Sequence, residues 1–106
     1  MKYKILKPSG LLDGQNVNQI RREITDSLDL GINIIRVDFQ EVSFVNSSAI
    51  GALIASLKMV RAKGGEMFLY SLNDQVRMIF ELTKMDQIFK ISDDRIELNE
   101  ELSMIR

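Results

Sequence analysis

A buried strand flanked by two amphipathic helices constrains the fold of this chain more than any other feature of its sequence. The run over residues 32–39 is rich in Ile and Val with little alternation of polar side chains, which is typical of a strand buried on both faces. Before it, Val17, Ile20, Ile24 and Leu28 recur every three or four residues, and a stronger helical pattern follows it. Strands and helices that alternate with short connections predict right-handed crossovers and a sheet that is parallel through its centre.

The other predicted elements continue this alternation, and each is bounded by a turn or capping residue. The first half has opening strands at 2–7 and 11–12, a first helix between Asn16 and Gly31, and strand or turn structure over 42–45. A second helix follows residues 46–48 and ends at Gly64-Gly65, and a strand over 67–72 leads to a third helix capped by Asn73 or Asp74. The chain ends with a last strand over 87–91 and a C-terminal helix or tail over 92–106, with Ile96, Leu102 and Ile105 roughly on one side.

The opening strands are joined too closely for a crossover, so we expect at least one pair of strands to run antiparallel. The predicted fold is a single α/β domain over residues 1–106. It has a small mixed, mostly parallel sheet of four to five strands, with about four helices packed on it.

Composition removes several classes of function. The 106 residues carry 14 Lys+Arg against 15 Asp+Glu, a net charge of −1, which gives no reason to expect binding to nucleic acid. No apolar run is long enough for a membrane span, so we expect a cytoplasmic protein that does not bind membranes. The absence of Cys and His removes thiolate chemistry, the commonest general base and the commonest metal ligands. We therefore expect neither an enzyme nor a bound metal or cofactor.

The junction Asn46-Ser47-Ser48 places two hydroxyls where a strand ends and a helix begins. The N–H groups of a first helical turn are unpaired and carry partial positive charge, so they suit an anion or a phosphate attached to a Ser. Asn and Ser are also favoured helix caps without any function attached. Both interpretations remain open on the residues alone.

The helix after this junction has an unusual face. Its apolar stripe predicts that Ala49, Ala52, Ser56 and Met59 lie on nearly the opposite side, where charged residues would be usual. A small, apolar strip allows another surface to approach closely. Either a partner protein docks there, or another part of the chain covers it.

The stretch that begins at Ile34 and includes Val-Asn-Ser-Ser-Ala-Ile-Gly over residues 45–51 resembles the signature of STAS domains, and more narrowly that of bacterial anti-sigma factor antagonists. The resemblance implies that Ser48 is phosphorylated by a partner serine kinase, often the anti-sigma factor itself. It also implies that a serine phosphatase reverses the modification, and that only the unphosphorylated form binds its partner. Ser47 is the rival phosphorylation site.

Two positions depart from that signature, because Asn46 stands for the usual Asp and Ala49 for the usual Gly. Asp38, at the end of the central strand, could approach the junction as a supporting residue or could be an ordinary strand-ending carboxylate. Two other functions remain as alternatives: a non-phosphorylated STAS scaffold module of a signalling or transport complex, and a small-anion or nucleotide-binding domain. We expect a monomer or a weak dimer.

Overall fold

Residues 3–92 are described by the computed structural model of this chain. In chain order the elements are β1 (Tyr3–Leu6), β2 (Ser9–Leu12), α1 (Val17–Asp29), β3 (Ile34–Asp38), β4 (Glu41–Val45), α2 (Ser47–Ala62), β5 (Glu66–Tyr70), α3 (Asp74–Leu82), a 3-10 helix (Met85–Gln87) and β6 (Lys90–Ser92). The predicted α/β class, with a small parallel sheet and helices packed on it, is confirmed.

The strands form two sheets. The larger one has the order β1-β3-β5-β6, and the smaller one pairs β2 with β4. All four pairings within residues 3–92 are parallel, so the expected antiparallel pair is wrong. The opening strands β1 and β2 are joined by Lys7-Pro8 alone, but they belong to different sheets and never pair with each other. Helix α1 instead serves as the crossover for both sheets, because β3 returns beside β1 and β4 returns beside β2.

The central strand β3 is buried along its whole length, as predicted. Its alternate residues Ile35 and Val37 face the helices and join a core with Met67 and Leu69 of β5. The helices contribute the apolar stripes predicted from their spacing, including Val17, Ile20 and Ile24 of α1 and Leu53, Leu57 and Val60 of α2.

The smaller sheet contains one irregularity. The pairing of β2 with β4 shifts between Gly10 and Leu11, so that Gly10 pairs with Val42 and Leu11 with Phe44. Ser43 is therefore the extra residue of β4, a β-bulge. Val42 and Val45 are both buried although they are an odd number of positions apart, whereas Ser43 and Phe44, which lie between them, are exposed.

The helices begin and end at the predicted capping residues, but one of these residues does not cap its helix through its side chain. Gly31 follows α1 with φ of 84°, as a left-handed residue that ends a helix does. The side chain of Asn73 caps α3 by accepting the N–H of Val76 at 2.8 Å. Asn16 occupies the N-cap of α1, but its side chain makes no capping bond to that helix.

The last strand lies later than predicted. The residues 87–91 that its pattern indicated are divided, because Met85–Gln87 form a 3-10 turn and β6 covers Lys90–Ser92. The predicted C-terminal helix or tail lies outside the described residues from Asp93 onward. Of the helices within residues 3–92, none combines the length and the apolarity that a bilayer-crossing segment needs.

Gly65 gives a direct test of the packing between the end of α2 and the sheet. A Cβ at this position would overlap the carbonyl oxygen of Asn33, which accepts the N–H of Glu66 at 3.0 Å. We expect Gly65→Ala to lower the free energy of unfolding by about 3 kcal/mol, because backbone must move to accommodate the methyl group. Urea unfolding followed by circular dichroism measures this change.

Gly51→Ala is the matched control, because Gly51 is exposed within α2 and its added Cβ would meet nothing within 4 Å. Alanine there should raise the free energy of unfolding by about 0.5–1 kcal/mol through helix propensity. Equal effects of the two substitutions would contradict the close approach at Gly65.

Candidate functional site

Asn46 connects the end of β4 to the start of α2. Its side-chain oxygen accepts the N–H of Ala49 at 3.0 Å, and its own N–H donates to the carbonyl oxygen of Leu12 at 3.0 Å. The first bond caps α2, and the second holds the junction to the end of β2. The capping role expected of the Asn46 side chain is confirmed.

Ser47 and Ser48 are the first two residues of α2, and both are exposed to solvent. They lie in the turn where unpaired N–H groups concentrate the positive end of the helix dipole. A bound or covalently attached phosphate at either side chain would therefore lie in favourable electrostatic surroundings.

Gly14, in the turn between β2 and α1, lies directly against Ser48. A Cβ added at Gly14 would come within 3.0 Å of the Ser48 Cβ and 3.8 Å of its Oγ. Any larger residue at position 14 would therefore crowd the Ser48 side chain. Gly14 thus belongs to the surroundings of Ser48. The sequence did not assign Gly14 to the site, because no spacing between the two residues indicated that they are in contact.

The turn that carries Gly14 is held by reciprocal hydrogen bonds. The N–H of Asp13 donates to Oδ1 of Asn16 at 2.8 Å, and the N–H of Asn16 donates to Oδ1 of Asp13 at 2.8 Å. Asn16 Nδ2 also donates to the carbonyl oxygen of Leu11. The Asn16 side chain thus fixes this turn instead of capping α1.

The face of α2 predicted to point outward is only partly accessible. Ala49 and Ser56 are fully buried, Ala52 and Met59 are half-buried, and the Ser56 hydroxyl donates to the Ala52 carbonyl oxygen at 3.0 Å. Of the two interpretations left open for this face, coverage by another part of the chain therefore holds for Ala49 and Ser56, whereas their expected position opposite the apolar stripe is wrong. At about 100° per residue these two residues flank the apolar stripe and do not oppose it. Helix α1 packs against α2, and Ala49 joins the same core cluster as Val17 and Ile20.

A different strip of α2 faces solvent. Ser48, Gly51, Ala55 and Lys58 are all exposed and recur every three or four residues. We call these four residues the α2 outer strip. Its first three members are small, so the helix backbone can be approached closely along about two turns that start at Ser48.

Two exposed apolar side chains belong to the strands that end at the junction. Leu11 is 47% exposed and Phe44 is 43% exposed, and the two residues pair across the smaller sheet. Their next neighbours, Leu12 and Val45, are buried and lead directly into the Gly14 turn and Asn46. The accessible surface near Ser48 therefore includes an apolar pair as well as the small residues of the strip.

Asp38 has a local structural role. It is 2% exposed, and its Oδ1 accepts the N–H of Gln40 at 2.9 Å, which fixes the turn between β3 and β4. Because Ile35 and Val37 point toward the helices, alternation directs Asp38 to the other face of the sheet. No hydrogen bond within residues 3–92 joins it to Ser47 or Ser48.

Between Tyr3 and Ser92, no group of three or more carboxylates could hold a metal ion.

Known proteins with similar sequences and folds agree on one family. The model of the STAS domain matches residues 2–98. The anti-sigma-B factor antagonist of Listeria monocytogenes is 30% identical over 66 residues, which cover 62% of this chain and 58% of that protein.

Solved structures extend the comparison to the fold. The crystal structure of TM1081 from Thermotoga maritima, described provisionally as an anti-sigma factor antagonist, superposes with a TM-score of 0.85 at 31% identity and covers 93% of this chain and 86% of that one. Phosphorylated SpoIIAA from Bacillus, described as a cell fate determinant, has the same fold at 24% identity, with a TM-score of 0.71 over 98% of this chain and 91% of its own. This chain belongs to the STAS domain family.

Proposed function

We propose that this chain is a protein-binding switch of the anti-sigma factor antagonist type, controlled by phosphorylation of Ser48. The unphosphorylated form binds an anti-sigma factor that is also a serine kinase, phosphorylation of Ser48 releases it, and a serine phosphatase restores binding. The observation that carries this proposal is the position of Ser48. It is an exposed hydroxyl-bearing residue in the first turn of α2 and heads the α2 outer strip.

Two surface features support a docking site centred on Ser48. The small residues Gly51 and Ala55 let a partner approach the helix backbone, and the exposed pair Leu11 and Phe44 supplies apolar area nearby. The relatives support the class of partner, because the Listeria protein is named an anti-sigma-B factor antagonist. SpoIIAA, which shares this fold, has structures in both unphosphorylated and phosphorylated forms.

Ser48 fits the regulatory role better than Ser47. At about 100° per residue, Ser48 lies in line with Gly51 and Ala55, whereas Ser47 is turned to one side. A phosphate on Ser48 would therefore project into the surface that the partner covers. The contact with Gly14 leaves the Ser48 side chain unobstructed by a neighbouring Cβ.

Electrostatics lets such a switch act on binding without disturbing the fold. Phosphorylation adds about −1.5 to −2 charges near neutral pH. At the N-terminus of α2 this charge is favourable by about 0.3–1 kcal/mol through the helix dipole. A docked partner would instead have to desolvate the phosphate. A penalty of about 3–4 kcal/mol would lower affinity several-hundred-fold, since each 1.4 kcal/mol is a factor of ten.

The first prediction concerns a series of substitutions at Ser48. Binding to a purified anti-sigma factor serine kinase, measured by calorimetry, should be retained by Ser48→Ala and weakened at least about tenfold by Ser48→Asp. After treatment with the kinase and ATP, mass spectrometry should find phosphate on wild type and on Ser47→Ala but not on Ser48→Ala. ATP should release wild type from the kinase and leave Ser48→Ala bound.

Ser9→Asp is the matched control, because Ser9 is exposed at the opposite end of β2 from the junction. It should bind like wild type. Equal binding by all variants, together with no phosphate on Ser47 or Ser48, would exclude the switch and favour a non-phosphorylated scaffold module.

A second prediction tests the α2 outer strip. Ala55→Arg should weaken binding to the same kinase by about 2 kcal/mol, because a long charged side chain would stand in the contact surface. The free energy of unfolding should change by less than about 0.5 kcal/mol, since position 55 is exposed. Gln75→Arg, at an exposed position of α3, makes the same charge change away from the strip and should leave affinity unaltered. If Ala55→Arg binds as Gln75→Arg does, the strip is not the docking surface.

A further inference from the structure

Gly14 stands in a turn whose backbone does not need a glycine. The glycines of residues 3–92 with positive φ are Gly10, Gly31 and Gly64, and Gly14 is not one of them. An L side chain therefore fits the backbone conformation at position 14 without strain. The shape of the turn gives no reason for a glycine there, so the reason has to lie in what surrounds it.

The space that a side chain at position 14 would take belongs to Ser48. An added Cβ would lie 3.0 Å from the Ser48 Cβ and 3.8 Å from its Oγ. Apart from the two residues that adjoin Gly14, it would meet no other heavy atom of residues 3–92 within 4 Å. Carbon atoms in contact are about 3.5–4.0 Å apart, so the Ser48 Cβ would have to give way.

Hydrogen bonds on both sides of this contact resist such a shift. The N–H of Asn46 donates to the carbonyl oxygen of Leu12 at 3.0 Å, which holds the start of α2 against the strand that leads into the turn. The reciprocal bonds of Asp13 and Asn16, both 2.8 Å long, hold the turn itself. A side chain at position 14 would therefore act mainly on the orientation of the Ser48 side chain.

The Ser48 hydroxyl can change its orientation as long as position 14 carries no side chain. A serine Oγ occupies staggered positions about the Cα–Cβ bond, and no preceding helical turn restricts Ser48, which is the second residue of α2. Its Oγ is farther than its Cβ from the place of the added Cβ, so the hydroxyl points away from Gly14. Rotation turns Oγ toward Gly14, and a methyl group there would prevent that rotation.

We propose that Gly14 is a positioning residue for the phosphorylation of Ser48, because the missing side chain lets the hydroxyl turn into line with the phosphoryl group that it receives. This role rests on the proposed function and adds to it a residue that sets the rate of modification. Partner binding does not depend on it, since an added methyl group would point into the gap beside Ser48.

Phosphoryl transfer requires this alignment. The Oγ of Ser48 attacks the γ-phosphorus of ATP on the kinase, and the new Oγ–P bond forms as the bond from that phosphorus to the β,γ-bridging oxygen breaks. ADP leaves with the electron pair of the broken bond, and the hydroxyl proton passes to a base of the kinase. The attacking and leaving oxygens lie roughly in line, so a hydroxyl confined to another rotamer reacts slowly even in a complex that has formed.

Phosphorylation within the preformed complex separates rate from affinity. With ATP added to the chain and an excess of a purified anti-sigma factor serine kinase, Gly14→Ala should be phosphorylated at least about fivefold more slowly than wild type. Gly14→Val should react more slowly still, because its methyl groups fill more of the gap. The Kd of the unphosphorylated Gly14→Ala chain for the kinase, measured by calorimetry, should change less than about threefold.

Gln15→Ala is the matched control. Gln15 is exposed in the same turn, and its backbone N–H, which the substitution keeps, donates to Oδ1 of Asp13 at 3.0 Å. This variant should be phosphorylated at the wild-type rate.

The outcomes separate this role from the switch itself. Phosphate on Ser48 of wild type and of Gly14→Ala at equal rates would overturn the role of Gly14 and leave the switch standing. A loss confined to the Kd would also overturn it, because Gly14 would then belong to the docking surface. No phosphate on Ser48 of wild type would overturn the switch, and the role of Gly14 with it.

A measurement on the free chain tests the orientation without the kinase. The Hα–Hβ couplings of Ser48, measured by nuclear magnetic resonance, should report more than one staggered rotamer in wild type and a single one in Gly14→Ala. Urea unfolding should give equilibrium constants within about fivefold of each other, which shows that the variant is folded. Identical couplings in the two proteins would contradict the positioning role.

Discussion

The parallel pairing of β2 with β4 is the constraint on which the candidate site depends. It places the end of β2 beside the end of β4, so the N–H of Asn46 can donate to the carbonyl oxygen of Leu12. The chain leaves β2 into the Gly14 turn and leaves β4 into α2, and these two exits meet at Ser48. A turn and a helix start that are distant in sequence thus form one surface, because one crossover helix returns two strands to their partners.

The sequence was sufficient for the elements whose patterns depend on local burial. The Ile and Val content of β3 indicated a strand covered on both faces, and the spacing of apolar residues identified α1 and α2. The caps at Asn46 and Asn73 were also predictable, because short polar side chains before a helical pattern satisfy its first N–H groups.

Features that depend on contacts distant in sequence were not predictable in the same way. The short connection between β1 and β2 suggested an antiparallel pair, because nothing local reveals that two successive strands belong to different sheets. Ala49 and Ser56 lie on the flanks of the α2 stripe, and the pattern of one helix does not show whether a neighbouring helix covers such a flank. The contact of Gly14 with Ser48 follows from the same long-range pairing and has no signature in spacing.

The β-bulge at Ser43 has a consequence for how this surface can vary. No residue of β2 pairs with Ser43, and the bulge absorbs it so that Val42 and Val45 both point inward. Deleting Ser43 would leave Val42, Phe44 and Val45 in ordinary in–out–in alternation, so Val45 would stay buried and the chain would still enter α2 with the same orientation. This edge of the molecule can therefore change in length by one residue at the bulge, as well as in side-chain identity, without turning the helix start.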